Sequence, residues 1–95
     1  MKNDIIEILK KEKTLLEQKF GVEEIAVFGS YARGDETPES DVDILVKLKE
    51  IKFANLAGLY LYLEEKLRKK IDLIRNGPHL SERFLKIISK DIIYV

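Results

Sequence analysis

Two aspartates separated by a single valine, Asp41 and Asp43, are the residues of this chain best suited to chemistry. Side chains alternate between the two faces of a β-strand, so these carboxylates share one face with their Cα atoms about 6.5–7 Å apart. Gly29 and Ser30 lie upstream, with ten residues between Ser30 and Asp41. A short Gly-Ser turn can offer backbone N–H groups to a phosphate. The spacing therefore predicts metal-assisted phosphoryl or nucleotidyl transfer.

A third carboxylate, Asp72, is the one acidic residue in the apolar run from Ile71 to Ile74. If that run forms a strand beside the strand that follows Asp41, three carboxylates converge on one patch. Close carboxylates repel each other when ionised, and a cation relieves the repulsion. Mg²⁺ suits such a site because it prefers hard oxygen ligands and is usually held by carboxylates together with substrate phosphates. Three carboxylates can hold two metal ions about 3.5–4 Å apart.

Each of these features has a simpler structural interpretation when it is taken alone. Asp-Val-Asp is common at the solvated start of a strand, a Gly-Ser pair is usually a turn, and Asp72 could be an exposed edge residue. Their joint occurrence at the ends of strands favours a site. Arg33 has two open roles, as a contact to phosphate or as the ion-pair partner of Asp35 or Glu36.

The elements that must position these residues follow from apolar periodicity and from turn residues. Helices are predicted over 3–19, with Asn3 as a cap, over 53–69, and from a cap at Ser81 to Ser89. Strands are predicted over 25–28, 41–48, 71–74 and, at the chain terminus, 92–95, and a polar loop is predicted over 34–40. This order indicates one α/β (α+β) domain over residues 1–95, with a small mixed sheet packed by helices.

The helix predicted over 53–69 carries a broad apolar stripe that we expect to face the core. The stripe consists of Phe53, Leu56, Ala57, Tyr60, Leu63 and Leu67. Leu61 and Tyr62 fall outside it, so these two residues are expected to meet either further core or another chain.

The composition excludes several classes of protein. Lys plus Arg and Asp plus Glu both number 17, so the formal net charge is zero, whereas a nucleic-acid binder usually carries a basic surplus. Direct DNA binding is therefore not expected. The chain has no cysteine, which excludes disulfides and cysteine-ligated zinc. Neither a signal peptide nor an apolar run that could span a membrane is present, so we expect a cytoplasmic protein.

The string Gly-Ser-Tyr-Ala-Arg-Gly-Asp, followed by Ser-Asp-Val-Asp, resembles the signature of the DNA polymerase β-like nucleotidyltransferase superfamily, and in particular its minimal nucleotidyltransferase (MNT) branch. The resemblance implies two-metal transfer of a nucleoside monophosphate from a nucleoside triphosphate to a hydroxyl. It assigns Gly29 and Ser30 to the triphosphate. Asp41 and Asp43 would bind both Mg²⁺ ions, and Asp72 would bind the catalytic ion and help to deprotonate the acceptor.

The resemblance also implies a partner protein. Larger members of the superfamily carry a further helical domain that helps to hold base and acceptor, and none follows Val95 in this sequence, so we expect a partner to supply that surface. Minimal members are similar to antitoxins encoded beside HEPN-domain RNase toxins, and the family's activity is adenylylation of a toxin tyrosine with ATP as donor. A small hydroxylated acceptor, another nucleoside triphosphate and self-association stay open. The alternative function is a non-catalytic module that neutralises a partner by covering it.

Overall fold

The computed structural model describes residues 2–95, with side chains from Asp4 onward. Within this range the chain forms four helices and four strands. In chain order they are α1 (Lys2–Phe20), β1 (Val22–Phe28), α2 (Gly29–Arg33), β2 (Val42–Leu48), α3 (Phe53–Leu67), β3 (Ile71–Arg75), α4 (Glu82–Ile88) and β4 (Ile93–Tyr94). The predicted cap at Asn3 lies outside the described side chains. The predicted α/β fold with a small mixed sheet is confirmed.

The strands form one mixed sheet in the order β3-β2-β1-β4. β1 pairs with β2 and with β4 in antiparallel fashion, whereas β2 and β3 are parallel. A parallel pair needs a crossover connection, and α3 supplies it. This crossover places the starts of β2 and β3 side by side at one end of the sheet, where Val42 pairs with Ile71.

The main core lies on one face of the sheet, under α1 and α3. Every second residue of β2 points into it, as the alternation predicted. Its strand residues are Val22, Ile25, Val27, Val42, Ile44, Val46, Leu48 and Ile71, all nearly or fully buried. The opposite face is covered in part by α4, where Phe28 meets Phe84 edge-on with ring centroids 6.0 Å apart. Asp43 is the register partner of Phe28 and also lies on this second face, where it is half-buried.

The predicted apolar stripe of α3 is wrong at its first residue. Phe53 is 85% exposed, and the fully buried positions are Leu59 and Leu63, with Leu67 nearly so. Leu59 was missed because apolar residues occupy most of the helix, so the pattern fits more than one stripe. Of the two residues expected off the stripe, Leu61 is exposed, whereas Tyr62 packs against Phe20 with ring centroids 5.6 Å apart.

The ends of the other elements differ from the prediction by a few residues. β1 begins three residues earlier than expected and α3 ends two residues earlier, at an Arg68 that adopts the left-handed conformation. The predicted stop of α1 is confirmed: Gly21 has a φ of 69°, and its N–H donates to the Glu17 carbonyl at 3.1 Å. None of the described helices is long and apolar enough to cross a membrane.

Candidate active site

The structure brings the predicted carboxylates together at the start of the parallel strand pair. Asp43 of β2 and Asp72 of β3 are register partners, so their Cα atoms are about 4.8 Å apart and their side chains leave the same face of the sheet. Asp41 immediately precedes β2, and the Val42 N–H beside it donates to the Lys70 carbonyl at 3.0 Å. We refer to Asp41, Asp43 and Asp72 as the acid site.

The electrostatics of Asp43 show that the three carboxylates interact. Burial raises the pKa of the Asp43 carboxyl, and the negative charges of Asp72 and Asp41 raise it further, while the positive charge of Arg33 acts in the opposite direction. Asp43 is half-buried, whereas Asp41 and Asp72 are exposed. The most buried of the three carboxylates is therefore repelled by two exposed ones. An added cation would reduce this repulsion.

Gly29 makes room for the Asp43 carboxylate. Its φ of 72° lies in the left-handed region, and a Cβ at this position would stand 2.0 Å from Oδ2 of Asp43. Phe28, the preceding residue, pairs with Asp43 across β1 and β2. The Gly-Ser turn therefore contacts the acid site directly, and its backbone stands where a phosphate could approach both the turn and the carboxylates.

Gly29 and Ser30 are the first two residues of α2, so the predicted turn is the start of this short helix. Tyr31 is 2% exposed and Ala32 is buried, so the short helix is anchored in the core immediately after Gly29 and Ser30. Arg33, at its end, donates from Nε to Oδ2 of Asp35 at 3.2 Å, and both side chains are about half exposed. The structure thus shows the ion pair that was one of the two roles open to Arg33. Its predicted contact to phosphate stays a prediction.

Tyr60 is a neighbour of the acid site that the sequence analysis treated only as a core residue. Its hydroxyl donates to Oε2 of Glu64 at 3.1 Å. This hydrogen bond is the largest cause of a raised pKa of Tyr60, and the charges of Glu64, Asp41 and Asp72 also contribute. The one available signal was the i, i+4 spacing of Tyr60 and Glu64, which places the two side chains on one helix face.

The donor set of the acid site fits Mg²⁺. It consists of carboxylates, which this ion prefers, and burial together with the charges of Asp72 and Asp41 raises the pKa of Asp43. Among the described residues, no three acidic or histidine side chains already converge at metal-binding distance. The site accordingly supplies oxygen ligands on two adjacent strands without a finished coordination shell, as expected where a substrate phosphate provides further ligands.

Comparison with known proteins agrees with the geometry. The profile of the family described as Nucleotidyltransferase domain matches residues 6–95. A protein of Thermococcus cleftensis named protein adenylyltransferase MntA is 40% identical over 93 residues, which cover 97% of this chain and 93% of that protein.

Two solved structures share the fold. A minimal nucleotidyltransferase superimposes with a TM-score of 0.72 at 28% identity, over 92% of both chains. A complex of a tri-AMPylated Shewanella oneidensis HEPN toxin with an MNT antitoxin gives a TM-score of 0.57 at 20% identity, over 98% of this chain and 66% of the other. At that identity, the second match speaks for the fold alone.

Proposed function

Because the chain belongs to the nucleotidyltransferase domain family, and is an enzyme of that family, we propose that it transfers AMP from ATP to a protein hydroxyl with the help of Mg²⁺. The observation that carries this proposal is the register pairing of Asp43 with Asp72, beside a Gly29 whose missing side chain makes room for Asp43. Carboxylates that repel each other make the folded state less stable, so their pairing in register is better explained by a binding site than by a merely polar strand end.

The residues divide into two groups by what they would bind. Gly29 and Ser30 hold the triphosphate through the backbone of the turn, and Arg33 adds a positive charge on the same side. Asp41 and Asp43 would hold both Mg²⁺ ions, and Asp72 would hold the catalytic one. When bound, the ions supply charge neutralisation of the triphosphate and activation of the attacking oxygen.

The bond changes are those of a nucleotidyl transfer. The acceptor oxygen forms a bond to the α-phosphorus of ATP, and the bond from that phosphorus to the bridging oxygen breaks. Pyrophosphate leaves with the electron pair, and Asp72 takes the proton of the acceptor hydroxyl. Because Asp72 is exposed at the edge of the sheet, it is the carboxylate that an acceptor on another protein can reach.

We propose a tyrosine of a HEPN-type toxin as the acceptor, so that the chain acts as an antitoxin in the cytoplasm. Two comparisons support this assignment: the related adenylyltransferase carries a protein-modifying name, and the fold is shared with an antitoxin bound to an AMPylated HEPN toxin. The absence of cysteine from the sequence agrees with a cytoplasmic setting.

One labelling experiment tests the proposed function. The protein is incubated with Mg²⁺ and the product of its adjacent gene, with either α-labelled ATP or α-labelled GTP. We expect label on that protein with ATP, and none when Mg²⁺ is removed by a chelator or when Asp41→Asn replaces the wild type. A tight complex that never becomes labelled would leave the non-catalytic binding module as the function.

A further inference from the structure

A cavity of about 230 Å³ lies outside the acid site, between the 34–41 loop and the connection from α3 to β3. We call it the loop cavity. Its walls are Tyr31 from α2, Glu36, Thr37 and Pro38 from the loop, and Lys69 from the connection. It therefore touches three segments that lead directly into the functional residues: the phosphate turn, the approach to Asp41 and the approach to Asp72.

One charged wall of this cavity, Glu36, has a carboxylate oxygen without a hydrogen-bond partner among the described residues. This oxygen, Oε1, is buried. A buried carboxylate oxygen without a donor is unfavourable, and buried polar atoms in folded proteins are generally paired. Lys69 is partly buried on the same cavity, and its ammonium group carries three donors at the end of a flexible stem.

The positions of these residues connect the loop cavity to catalysis. Within the loop, the Thr37 N–H donates to Oγ of Ser40 at 2.9 Å, and the Ser40 N–H donates to the Thr37 carbonyl at 3.0 Å. This turn makes the segment from Glu36 to Asp41 a compact unit. On the other side, the bond from Val42 to the Lys70 carbonyl joins that unit to the start of β3. A pairing of Glu36 with Lys69 would add a second link between the same two segments.

We propose that Lys69 and Glu36 form an ion pair across the loop cavity in the nucleotide-bound protein, and that this pair is a clasp that positions Asp41 relative to Asp72. The inference rests on the proposed function: Asp41 and Asp72 would both hold Mg²⁺, and a link between the segments that precede them would fix the spacing of the two carboxylates. Neither residue touches the reacting atoms, so both are positioning residues.

Direct binding of phosphate by Lys69 is the competing role for this lysine. The loop cavity argues against it, because a phosphate that reached Lys69 there would stand beside the partly buried Glu36 carboxylate, and like charges repel. An ammonium group compensates that carboxylate and a phosphate does not. If Lys69 pairs with Glu36, substitution of Glu36 should weaken Mg²⁺-dependent nucleotide binding. If Lys69 binds phosphate, substitution of Glu36 should leave that binding unchanged.

The test uses the full chain, Mg²⁺ and a fluorescent ATP analogue, and measures the Mg²⁺ concentration at which analogue binding is half-maximal. The variants are Lys69→Met, Glu36→Gln, the double variant and Lys69→Arg. Lys70→Met and Glu39→Gln are matched controls, because both residues are exposed neighbours on the same segments. Thermal unfolding of every variant is recorded in parallel.

We expect each single substitution to raise the half-maximal Mg²⁺ concentration about five- to tenfold, and the double variant to do no more than either single one, as for two coupled residues. Lys69→Arg and both controls should stay within about twofold of the wild type. If Lys69→Met or Glu36→Gln lowers the unfolding temperature, the reversed pair Glu36→Lys with Lys69→Glu should restore the wild-type Mg²⁺ dependence.

Three outcomes would overturn the clasp. Lys69→Met could weaken binding while Glu36→Gln leaves it unchanged, which would assign Lys69 to phosphate. All variants could bind like the wild type, which would remove the loop cavity from the mechanism while the proposed function stands. Wild-type protein that binds no ATP analogue at any Mg²⁺ concentration would overturn the proposed function and the clasp together.

Discussion

At the scale of single residues, the absence of a side chain at Gly29 makes room for the Asp43 carboxylate. Gly29→Ala would put a Cβ 2.0 Å from Oδ2 of Asp43 and would strain a backbone with a φ of 72°. We expect the carboxylate to be displaced, so that Mg²⁺-dependent ATP binding falls at least about tenfold, and stability to fall by about 1–2 kcal/mol from the left-handed strain. Isothermal titration and thermal unfolding measure the two effects.

Gly21→Ala is the matched control for this prediction. Gly21 has a similar φ of 69°, but nothing lies within 4 Å of the position of its Cβ. The control should therefore lose comparable stability while it retains ATP binding. Equal loss of binding in both variants would mean that the effect comes from general destabilisation, and it would contradict the specific contact between Gly29 and Asp43.

Asp43→Asn distinguishes the effect of Asp43 on stability from its proposed role in nucleotidyl transfer. Because the pKa of Asp43 is raised in the folded chain, the folded state binds more protons than the unfolded state at pH values above the ordinary pKa of an aspartate, and stability without Mg²⁺ falls as the pH rises through that window. The variant removes this loss. We expect the unfolding temperature of the variant at pH 7 to be equal to that of the wild type or up to about 2 °C higher. Its stability should depend less on pH, and nucleotidyl transfer should be abolished. Unfolding of the variant, or full activity, would contradict the assignment.

Asp72 should behave differently from Asp43, because it is exposed at the edge of the sheet whereas Asp43 is half-buried against the Gly29 turn. We expect Asp72→Asn to lower turnover by about two orders of magnitude or more, since it removes a group that acts mainly in the transition state. ATP affinity should change less than in Asp43→Asn. Parallel measurements of turnover and ATP affinity test this division, and equal losses of affinity would argue against it.

At the scale of elements, α4 supports the strand that leads into the Gly29 turn. Its cap is Ser81, whose Oγ accepts from the Phe84 N–H at 3.0 Å, and Phe84 in turn packs on Phe28. Ser81→Ala should lower the free energy of unfolding by about 1 kcal/mol. ATP binding should persist at a temperature where the variant stays folded. Ser81→Asp, which keeps a capping oxygen, should retain stability in the same denaturation experiment.

The elements also show what the sequence could and could not predict. Strand alternation correctly placed Val42, Ile44 and Val46 in the core and Asp43 on the other face, because the period of a strand is fixed by its backbone. The register of Asp43 with Asp72 could not be predicted, since the two strands are joined through a helix and local pattern does not fix their offset. The exposure of Phe53 was missed for a similar reason: only packing decides which apolar stripe of α3 is buried.

At the scale of the whole molecule, the domain places its chemistry at one end of a thin sheet. The acid site lies where β2 and β3 begin, and the loop cavity lies beside it. Both depend on segments that precede strands rather than on the buried layers, so substitutions there can change activity while the core stays intact. Asp41 and Asp72 are exposed, so an acceptor of the proposed transfer could reach them from solvent.

This arrangement leads to the last prediction, which concerns how a partner toxin is neutralised. An enzyme acts repeatedly, so a small amount of wild-type protein with ATP and Mg²⁺ should inactivate an excess of the toxin, and mass spectrometry should find AMP on a toxin tyrosine. Asp41→Asn should need at least equal amounts of protein, because it can act only by binding. Titrating toxin RNase activity against each protein distinguishes the two modes. Equal potency of wild type and variant, without modification of the toxin, would contradict the enzymatic mechanism.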